Sequence, residues 1–536
     1  MPLPTPDYYT KLLEFRSKDN VKLKKCRYIK DTVDFRNYQA IGVLHLITAK
    51  RFLLGDAAGL GKTLQSLACY GYLKETYPDL KLLVISPKSA LYQWKGEVEK
   101  FMHGVTAEVV ASGNIRIGKG PANLLTGETA RKYKLDQFFS NNTDILIINY
   151  NTLVSEHEQL IPRLGRYMVI FDEATYFKNY RNETWRAVNR TATKASRVIA
   201  LTATVIKNRL EEAFSIFFAV IPGLFTNVTR FRNAFHNTLI LKMGTYTDKK
   251  TNTVKDRRVP KLIGYKNLNV FRKYIDPYFL GRKKEDVAKE LPKLISKEVV
   301  LQMEDRQDKA YRDALEGILV LDSGETKELE KISRLIFCQQ ISDSPNLIGI
   351  DAPSSKEQEL IQLLKEDFID EKVIVFTNFK KQIDRFEKIF KKEKIPMTRI
   401  TGDENAAKRE VNKQNFQNKE SKVDVIFINR AGSESINLQA ASTFIFYDLP
   451  WSYGDYIQLV GRAQRIGSEH TSILVLHFIN KGTIDEHVLK VLKSKQGLVT
   501  EIFGATKSGE LNFDPDIVEY LFTELVNDAN REKNEG

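Results

Sequence analysis

The stretch Leu53-Leu54-Gly55-Asp56-Ala57-Ala58-Gly59-Leu60-Gly61-Lys62-Thr63 leaves few folds open to this chain. A short apolar run enters it, three glycines lie within it, and Gly-Lys-Thr closes it ahead of the helix-like Leu64-Gln65-Ser66-Leu67-Ala68. A strand, a glycine-rich turn and a helix in that order form the plan of a phosphate-binding loop. Backbone N–H groups cradle phosphate oxygens, the lysine reaches the β- and γ-phosphates, and the threonine hydroxyl ligates magnesium. Gly59, Gly61, Lys62 and Thr63 are therefore candidate nucleotide-binding residues. The first of the pattern's two spaced glycines is replaced by Asp56, and Gly55 sits one place too early to fill that slot. On these residues alone, an ordinary glycine-rich turn is the alternative.

The rest of the chain puts this loop in a parallel sheet. Apolar, β-branched runs recur at Leu82-Leu83-Val84-Ile85, Ile145-Leu146-Ile147-Ile148, Met168-Val169-Ile170-Phe171 and Arg197-Val198-Ile199-Ala200-Leu201. Amphipathic pieces of helix length, such as Ala90 to Phe101, lie between them. Strands alternating with helices argue for an α/β fold whose parallel sheet is covered on both faces. The pattern repeats after about residue 355, with strands expected at Lys372–Phe376, Val423–Ile428, Thr443–Tyr447 and Ser472–Leu476. No second Gly-Lys-Thr loop accompanies them, so one nucleotide would serve two domains. A chain of 536 residues also exceeds what one hydrophobic core supports. The intervening stretch, 205–350, reads as mostly helical. Within it, Lys242 to Pro260 alternates in the manner of a polar hairpin, either solvated or touching nucleic acid. Ser323-Gly324-Glu325 reads as a turn between helices.

Composition narrows the compartment and the partner. The three cysteines (Cys26, Cys69, Cys338) are widely spaced with no Cys-x-x-Cys, which offers neither a disulfide framework nor a zinc ribbon. No apolar run approaches the roughly 18 residues of a membrane span, and Met1-Pro-Leu-Pro-Thr-Pro does not open like a secretory signal. A cytoplasmic location is expected: the host cytoplasm for a viral protein, the nucleus for a eukaryotic one. The net charge of +14 favours a polyanion, most simply nucleic acid, although scattered lysines also serve solubility.

Four further groups carry chemistry. Asp172-Glu173 follows the strand Met168–Phe171, about 110 residues beyond the phosphate loop. Asp172 can hold magnesium opposite Thr63, and Glu173 can orient and deprotonate an attacking water. Leu201-Thr202-Ala203-Thr204 ends another strand, where Thr202 and Thr204 can report the γ-phosphate state. Gln39, about twenty residues before the loop, has an amide able to read both donor and acceptor on adenine, which favours ATP over GTP. Arg462 and Arg465, in Gln458-Leu459-Val460-Gly461-Arg462-Ala463-Gln464-Arg465, share a helix face and can stabilise charge on a transferring phosphoryl group.

Together these residues resemble the superfamily 2 helicase motor, and within it the SWI/SNF-like family of DNA-dependent ATPases. That family's phosphate loop also carries Asp at the first slot, so Asp56 supports the resemblance, although Ala57 and Ala58 stand where Glu and Met are usual. Ser86-Pro87-Lys88-Ser89 with Gln93-Trp94 resembles motif Ia, a DNA-backbone contact. Asp172-Glu173-Ala174-Thr175 resembles the Asp-Glu-Ala-His box, with Thr175 in place of His. Phe279 to Val287 followed by Leu291-Pro292-Lys293 is the most family-specific segment, with Gly281 where a first arginine is usual. Val375 to Phe379 resembles motif IV, Arg430 to Leu438 motif V (Ser433 and Ser435 at positions often held by Gly), and Gln458 to Gly467 motif VI.

The resemblance implies two RecA-like parallel-sheet domains in tandem with helical insertions near the linker. The expected division is an N-terminal extension (1–30), an ATP-binding domain (31–222), helical protrusions and linker (223–352, with the insert at 242–260), a second RecA-like domain (353–495), and a brace and tail (496–536). ATP and Mg²⁺ would be held by Gln39, Asp56, Gly59, Gly61, Lys62, Thr63, Asp172 and Gln458. Glu173 would act as base, with Arg462 and Arg465 as arginine fingers. Nucleic acid would meet Pro87, Lys88, Trp94, Thr377, Asn378, Gly432 and Ser433, with Arg116, Lys178, Lys207 and Lys381 as further phosphate contacts. The implied activity is an ATP-dependent translocase or helicase, acting as a monomer on double-stranded, forked or branched DNA through backbone phosphates. A motor that displaces DNA-bound proteins without unwinding is the rival reading.

Overall fold

The structure, a computed structural model, describes residues 5–111, 115–117, 124–206, 209–247, 253–287, 292–432, 436, 438–464, 468–503 and 511–512. The chain divides into two compact units. Met1–Phe235 and Asn267–Val287 belong to the first, and His236–Lys266 and Ala288–Thr506 to the second. The segment Asn267–Val287, expected within the linker region, thus folds with the nucleotide-loop unit.

The first unit is built on a seven-stranded parallel sheet. Its strands lie in the order Phe279–Leu280, Arg51–Leu54, Arg197–Leu201, Tyr167–Asp172, Lys81–Ser86, Ile145–Asn149 and Ala107–Val110. Alternate residues of one strand face opposite sides, and here both sides are buried. Leu82, Val84, Ile145, Ile147, Met168 and Ile170 join one apolar cluster, while Leu83, Ile85, Leu146, Ile148, Val169 and Phe171 are equally buried on the other side. This is why the strands read as unbroken apolar runs rather than alternating ones. Each such side chain stabilises the fold by about 1.5–3 kcal/mol relative to exposure. The expected amphipathic helix forms at Leu91–Phe101 and buries Leu91, Trp94 and Val98. The N-terminal segment is part of this unit: the helix Tyr9–Arg16 buries Leu12 and Phe15, and Arg16 pairs with Asp276 at 2.9 Å.

The second unit repeats the plan with a six-stranded parallel sheet. The order is Lys293–Leu301, Ser472–Asn480, Thr443–Phe446, Val373–Phe376, Val425–Ile428 and Met397–Ile400. Ile374, Phe376, Ile426, Ile428, Phe444 and Phe446 pack on one face, and Val373, Val375, Val425, Phe427 and Ile445 on the other. The expected tandem of RecA-like α/β domains is thus present, with helices such as Asp305–Glu316 and Lys331–Asp343 inserted ahead of the second sheet's central strands.

Two features of the connecting stretch differ from expectation. The polar hairpin is longer than 242–260: His236–Thr247 pairs antiparallel with Val254–Tyr265, and Leu511–Asn512 adds to its base. Ser323-Gly324-Glu325 is not a turn between helices. It closes a small β-hairpin, Ile318–Val320 against Thr326–Glu328, where Gly324 supplies a left-handed residue (φ 81°) and the Leu321 N–H donates to the Glu325 carbonyl at 2.9 Å. The tail beyond 512 lies outside the described residues. Among the described residues no helix is long and apolar enough to cross a membrane.

Each unit buries a histidine in its neutral form. His45 donates from Nδ1 to the Ile41 carbonyl at 2.8 Å and packs against Phe15 and Phe52, and burial pushes its pKa down to about 3. His477 stacks with Phe446 and Tyr456, and burial lowers its pKa to about 4. Below the unfolded value of about 6.5, the unfolded chain takes up protons that the folded chain refuses, so stability falls as pH falls. Each site should cost about 2 kcal/mol between pH 7 and pH 5. Thermal unfolding followed against pH should show this acid loss, and His477→Gln should remove part of it. An acid limb unchanged by that substitution would count against the assignment.

Candidate nucleotide site and nucleic-acid contacts

The strand Arg51–Leu54 runs into the phosphate loop, and the helix Lys62–Thr76 begins where the loop ends. Gly59 (φ 88°) and Gly61 (φ 77°) both adopt the left-handed conformation that glycine takes without strain. A Cβ on Gly61 would also come within 2.5 Å of Gln39 Nε2. This is the turn by which a helix N-terminus is opened to phosphate oxygens. Lys62 lies along the loop, with Nζ donating to the carbonyls of Asp56 at 2.6 Å and Ala57 at 3.2 Å. Gln39 is anchored beside it: its Oε1 accepts from the Arg36 N–H at 3.1 Å, and its Nε2 donates to the Leu60 carbonyl at 3.4 Å.

Asp172 closes the strand Tyr167–Asp172. Its carboxylate accepts from Trp94 Nε1 at 2.7 Å, and its main-chain carbonyl accepts from the Tyr150 hydroxyl at 2.7 Å. Burial pushes the carboxyl up to about 6, Trp94 and the Lys62 ammonium oppose that rise, and the neighbouring Glu173 adds to it. The Lys62 ammonium, far from Asp172 in sequence, comes near enough to act on its charge, from a strand two places away in the sheet. A hydroxyl at Thr63 and a single carboxylate suit Mg²⁺, which takes one or two carboxylates and fills its shell with water and substrate phosphate oxygens.

Glu173 has a left-handed backbone (φ 53°), which costs a non-glycine residue about 1 kcal/mol or more. Its neighbours hold it there. The Tyr176 N–H donates to the Glu173 carbonyl at 3.0 Å. The hydroxyls of Thr175 and Thr202 donate to Glu173 Oε1 at 2.7 and 3.2 Å. Thr175, the departure from the Asp-Glu-Ala-His pattern, therefore touches the proposed base directly. The Thr202 hydroxyl also accepts from the Thr204 N–H at 3.1 Å, which ties the turn after Arg197–Leu201 to the same carboxylate.

Several residues read from sequence as ligand contacts are spent inside the protein. Asp56 has no exposed surface: its carboxylate accepts from Nε and Nη2 of Arg282, so it shapes the loop rather than facing a nucleotide. Trp94 is only 2% exposed and serves Asp172, not a nucleic-acid backbone. Pro87 is buried as well, whereas Lys88 beside it is exposed. Lys178 pairs with Glu212 at 2.8 Å, while Arg116 and Lys381 are exposed.

In the second unit Thr377 is fully buried, and its hydroxyl donates to Asp448 at 2.7 Å. Asn378 donates from its side chain to the same carboxylate at 2.6 Å and to the Leu449 carbonyl at 3.0 Å. Gly432 is packed where a Cβ would lie 2.0 Å from the Ile400 carbonyl oxygen, and its N–H donates to Asn429 at 2.9 Å. These three stabilise loops from within and offer no free donor of the kind expected. Gln458 and Arg462 lie on the helix Tyr453–Ala463. Arg465, Ser433 and Lys207 lie outside the described residues.

Arg282 lies in the family-specific segment and carries no role in the sequence reading, and the Trp94 indole, read there as a nucleic-acid contact, donates to Asp172. The spacing of a tryptophan 78 residues before Asp172 carries no local signal of contact. Trp94→Phe keeps the ring's packing and deletes the donor. It should raise the Mg²⁺ concentration needed for half-maximal nucleotide hydrolysis by tenfold or more, the usual cost of removing a group that orients a metal ligand. An unchanged Mg²⁺ dependence would mean that the hydrogen bond does not position Asp172.

The chain matches the model of the SNF2-related domain over residues 38–349 and that of the helicase conserved C-terminal domain over residues 355–467. It is 29% identical over 482 residues to an uncharacterized ATP-dependent helicase of Mycoplasma pneumoniae, covering 88% of this chain and 42% of that protein. It is 24% identical over 535 residues to the DNA repair and recombination protein RAD54-like of Danio rerio, covering 91% of this chain and 70% of that one. A solved Sulfolobus solfataricus SWI2/SNF2 ATPase core in complex with dsDNA aligns with 94% of this chain and 98% of its own at 24% identity, with a TM-score of 0.39. The chain thus spans about two fifths of the length of the Mycoplasma relative. With the first of the two family models covering more than half of it, this protein belongs to the SNF2-related family.

Proposed function

We propose that this protein hydrolyses ATP to drive movement along duplex DNA, and that forked or branched DNA is the structure it remodels. The observation that supports the ATP reading is the loop with left-handed Gly59 and Gly61 ahead of the helix at Lys62, in the same sheet as Asp172 and a Glu173 held by two hydroxyls. Lys62 and the loop N–H groups would bind the phosphates, and Thr63 and Asp172 would hold Mg²⁺, which would supply neutralisation of charge on the phosphate oxygens. Thr175 and Thr202 aim Glu173, whose carboxylate orients the attacking water and takes its proton. For Arg462 and Arg465 the role of arginine fingers rests on the sequence resemblance alone.

Duplex DNA as track is supported by the net charge of +14 and by membership of the family. A role on branched or recombining DNA draws on relatives named DNA repair and recombination proteins. A second reading, displacement of DNA-bound proteins, draws on a relative named CHD3-type chromatin-remodeling factor. ATPase rates on single-stranded, linear duplex, forked and four-way DNA separate the two. Branched DNA should stimulate most and should be resolved in the presence of ATP. Stimulation by linear duplex alone, without resolution of branched substrates, would favour protein displacement, and stimulation by RNA would overturn both.

Lys62→Ala should abolish turnover while leaving DNA binding largely intact, and retained turnover would refute its phosphate role. Thr175→Val should lower kcat roughly three- to tenfold, the worth of one hydrogen bond, with little change in ATP affinity. An affinity loss without a change in kcat would mean that Thr175 does not act through Glu173.

A further inference from the structure

The phosphate loop does not hold its own shape. Asp56 replaces its first glycine and is completely buried, and a buried carboxylate needs a partner. Arg282, more than two hundred residues later, supplies one. Its Nε donates to Asp56 Oδ1 at 2.8 Å and its Nη2 to Asp56 Oδ2, the two-pronged geometry that a guanidinium matches and an ammonium does not. The same guanidinium donates from Nη1 to the Tyr38 carbonyl, next to Gln39, and from Nη2 to Gln65 Oε1 at 3.0 Å on the helix that follows the loop. Gln65 in turn donates to Asp56 Oδ2 at 3.1 Å and to the Leu60 carbonyl at 3.2 Å. One arginine therefore joins the three elements that frame the nucleotide site.

The backbone around Arg282 is bound to the loop as well. Phe279–Leu280 adds to the sheet edge beside Leu53 and Leu54. The Gly55 N–H donates to the Leu280 carbonyl at 2.7 Å, and the Ala57 N–H to the Arg282 carbonyl at 3.0 Å. Three glycines make room. A Cβ on Gly55 or Gly281 would meet the Phe279 ring at 2.4 Å, and one on Gly42 would meet Gln65 Oε1 at 1.8 Å. Lys284 is buried in the same place, its Cε 4.0 Å from where a Cβ of Gly59 would lie. The side chain of Asp56 faces Arg282 while its carbonyl accepts from Lys62, so directly bonded groups run from Arg282 to the phosphate-binding lysine.

We propose that Arg282 is a positioning residue of the nucleotide site: through Asp56 it fixes the phosphate loop and Lys62 in the shape that receives phosphates, which makes nucleotide affinity depend on the segment Phe279–Val287 by which the chain leaves the first unit. The two family features that looked unrelated in the sequence, the aspartate in the loop and the Arg282 segment, are two halves of one ion pair. The inference rests on the nucleotide reading given above and extends it to a residue outside the motifs.

The test uses the full chain as wild type, Arg282→Lys, Arg282→Met and the double variant Asp56→Asn with Arg282→Met. Affinity for a fluorescent ADP analogue is measured without DNA, beside thermal unfolding and the KM and kcat for ATP. Arg282→Met should weaken ADP binding tenfold or more and lower the unfolding temperature, because it strands a buried charge. The double variant removes that charge and should recover most of the unfolding temperature while ADP binding stays weak and KM stays raised. Arg282→Lys, a point charge without the fork, should fall between, and it carries the test together with the double variant should Arg282→Met not fold. Recovery of both stability and ADP affinity in the double variant, or unimpaired ADP binding in Arg282→Met, would overturn the proposal and leave the pair purely structural. A wild type that binds no ADP would overturn the nucleotide reading with it. A wild type that binds ADP without stimulation by DNA would refute only the motor, and the comparison of variants would still decide this inference.

Discussion

A parallel sheet must be covered on both faces, and most of the rest follows from that. Covering both faces makes the strands apolar along their whole length and sends the chain through a helix before each return. Polar chemistry is then left to the loops at the carboxyl ends of the strands. In the first unit those loops are Gly55 to Gly61, Ser86-Pro87, the turn after Asp172, and Thr202 to Thr204, each following its strand directly. The reach of Thr202 to Glu173 is a consequence of two strands lying side by side, and the influence of Lys62 on Asp172 crosses the strand between theirs. The sheet does not itself perform chemistry. It fixes which loops become neighbours.

The same constraint explains what could be read in advance. Strand runs such as Ile145–Ile148 and Met168–Phe171 were plain because nothing but a doubly covered sheet asks for such continuous apolar residues. The phosphate loop was plain because left-handed glycines and a helix start leave a local trace at Gly59 and Gly61. Partners across the sheet left none. Trp94 reads as a surface contact in a motif, yet its buried indole N–H needs an acceptor, and the half-buried Asp172 carboxylate supplies it. The hydrogen bonds of Thr377 and Asn378 to Asp448 left no local trace either. The small hairpin at Ser323-Gly324-Glu325 was missed because a glycine turn looks alike between strands and between helices, and only the burial of Leu319 against exposed Ile318 and Val320 tells them apart.

Both units brace the loop after a strand with a buried carboxylate, but they neutralise it differently. In the first unit Asp56 meets a guanidinium that also binds Tyr38 and Gln65, so charge and hydrogen bonding come from one side chain. In the second, Asp448 follows the strand Thr443–Phe446 and holds Thr377 and Asn378 after Val373–Phe376. Burial raises its pKa, and hydrogen bonds, including those from Thr377 and Asn378, work against the rise. Nearby, Lys356 pairs with Asp343 at 3.1 Å and Asp485 at 2.8 Å, all three buried. Burial works against the Lys356 charge, yet Asp485 and Asp343 override it and hold its pKa above the ordinary value.

Buried pairs of this kind seldom add net stability, because desolvation offsets most of the attraction, whereas breaking one by removing a single partner is costly. Their retention beside functional loops is better explained by geometry. A bidentate arginine accepts one orientation of a carboxylate, so the loop that carries Asp56 is held to one conformation rather than merely kept in place. An apolar pair of equal volume would pack there without dictating where the Asp56 carbonyl points, and that carbonyl is what Lys62 leans on. The aspartate that breaks the usual glycine pattern therefore exchanges the flexibility of a glycine for an orientation set from residue 282.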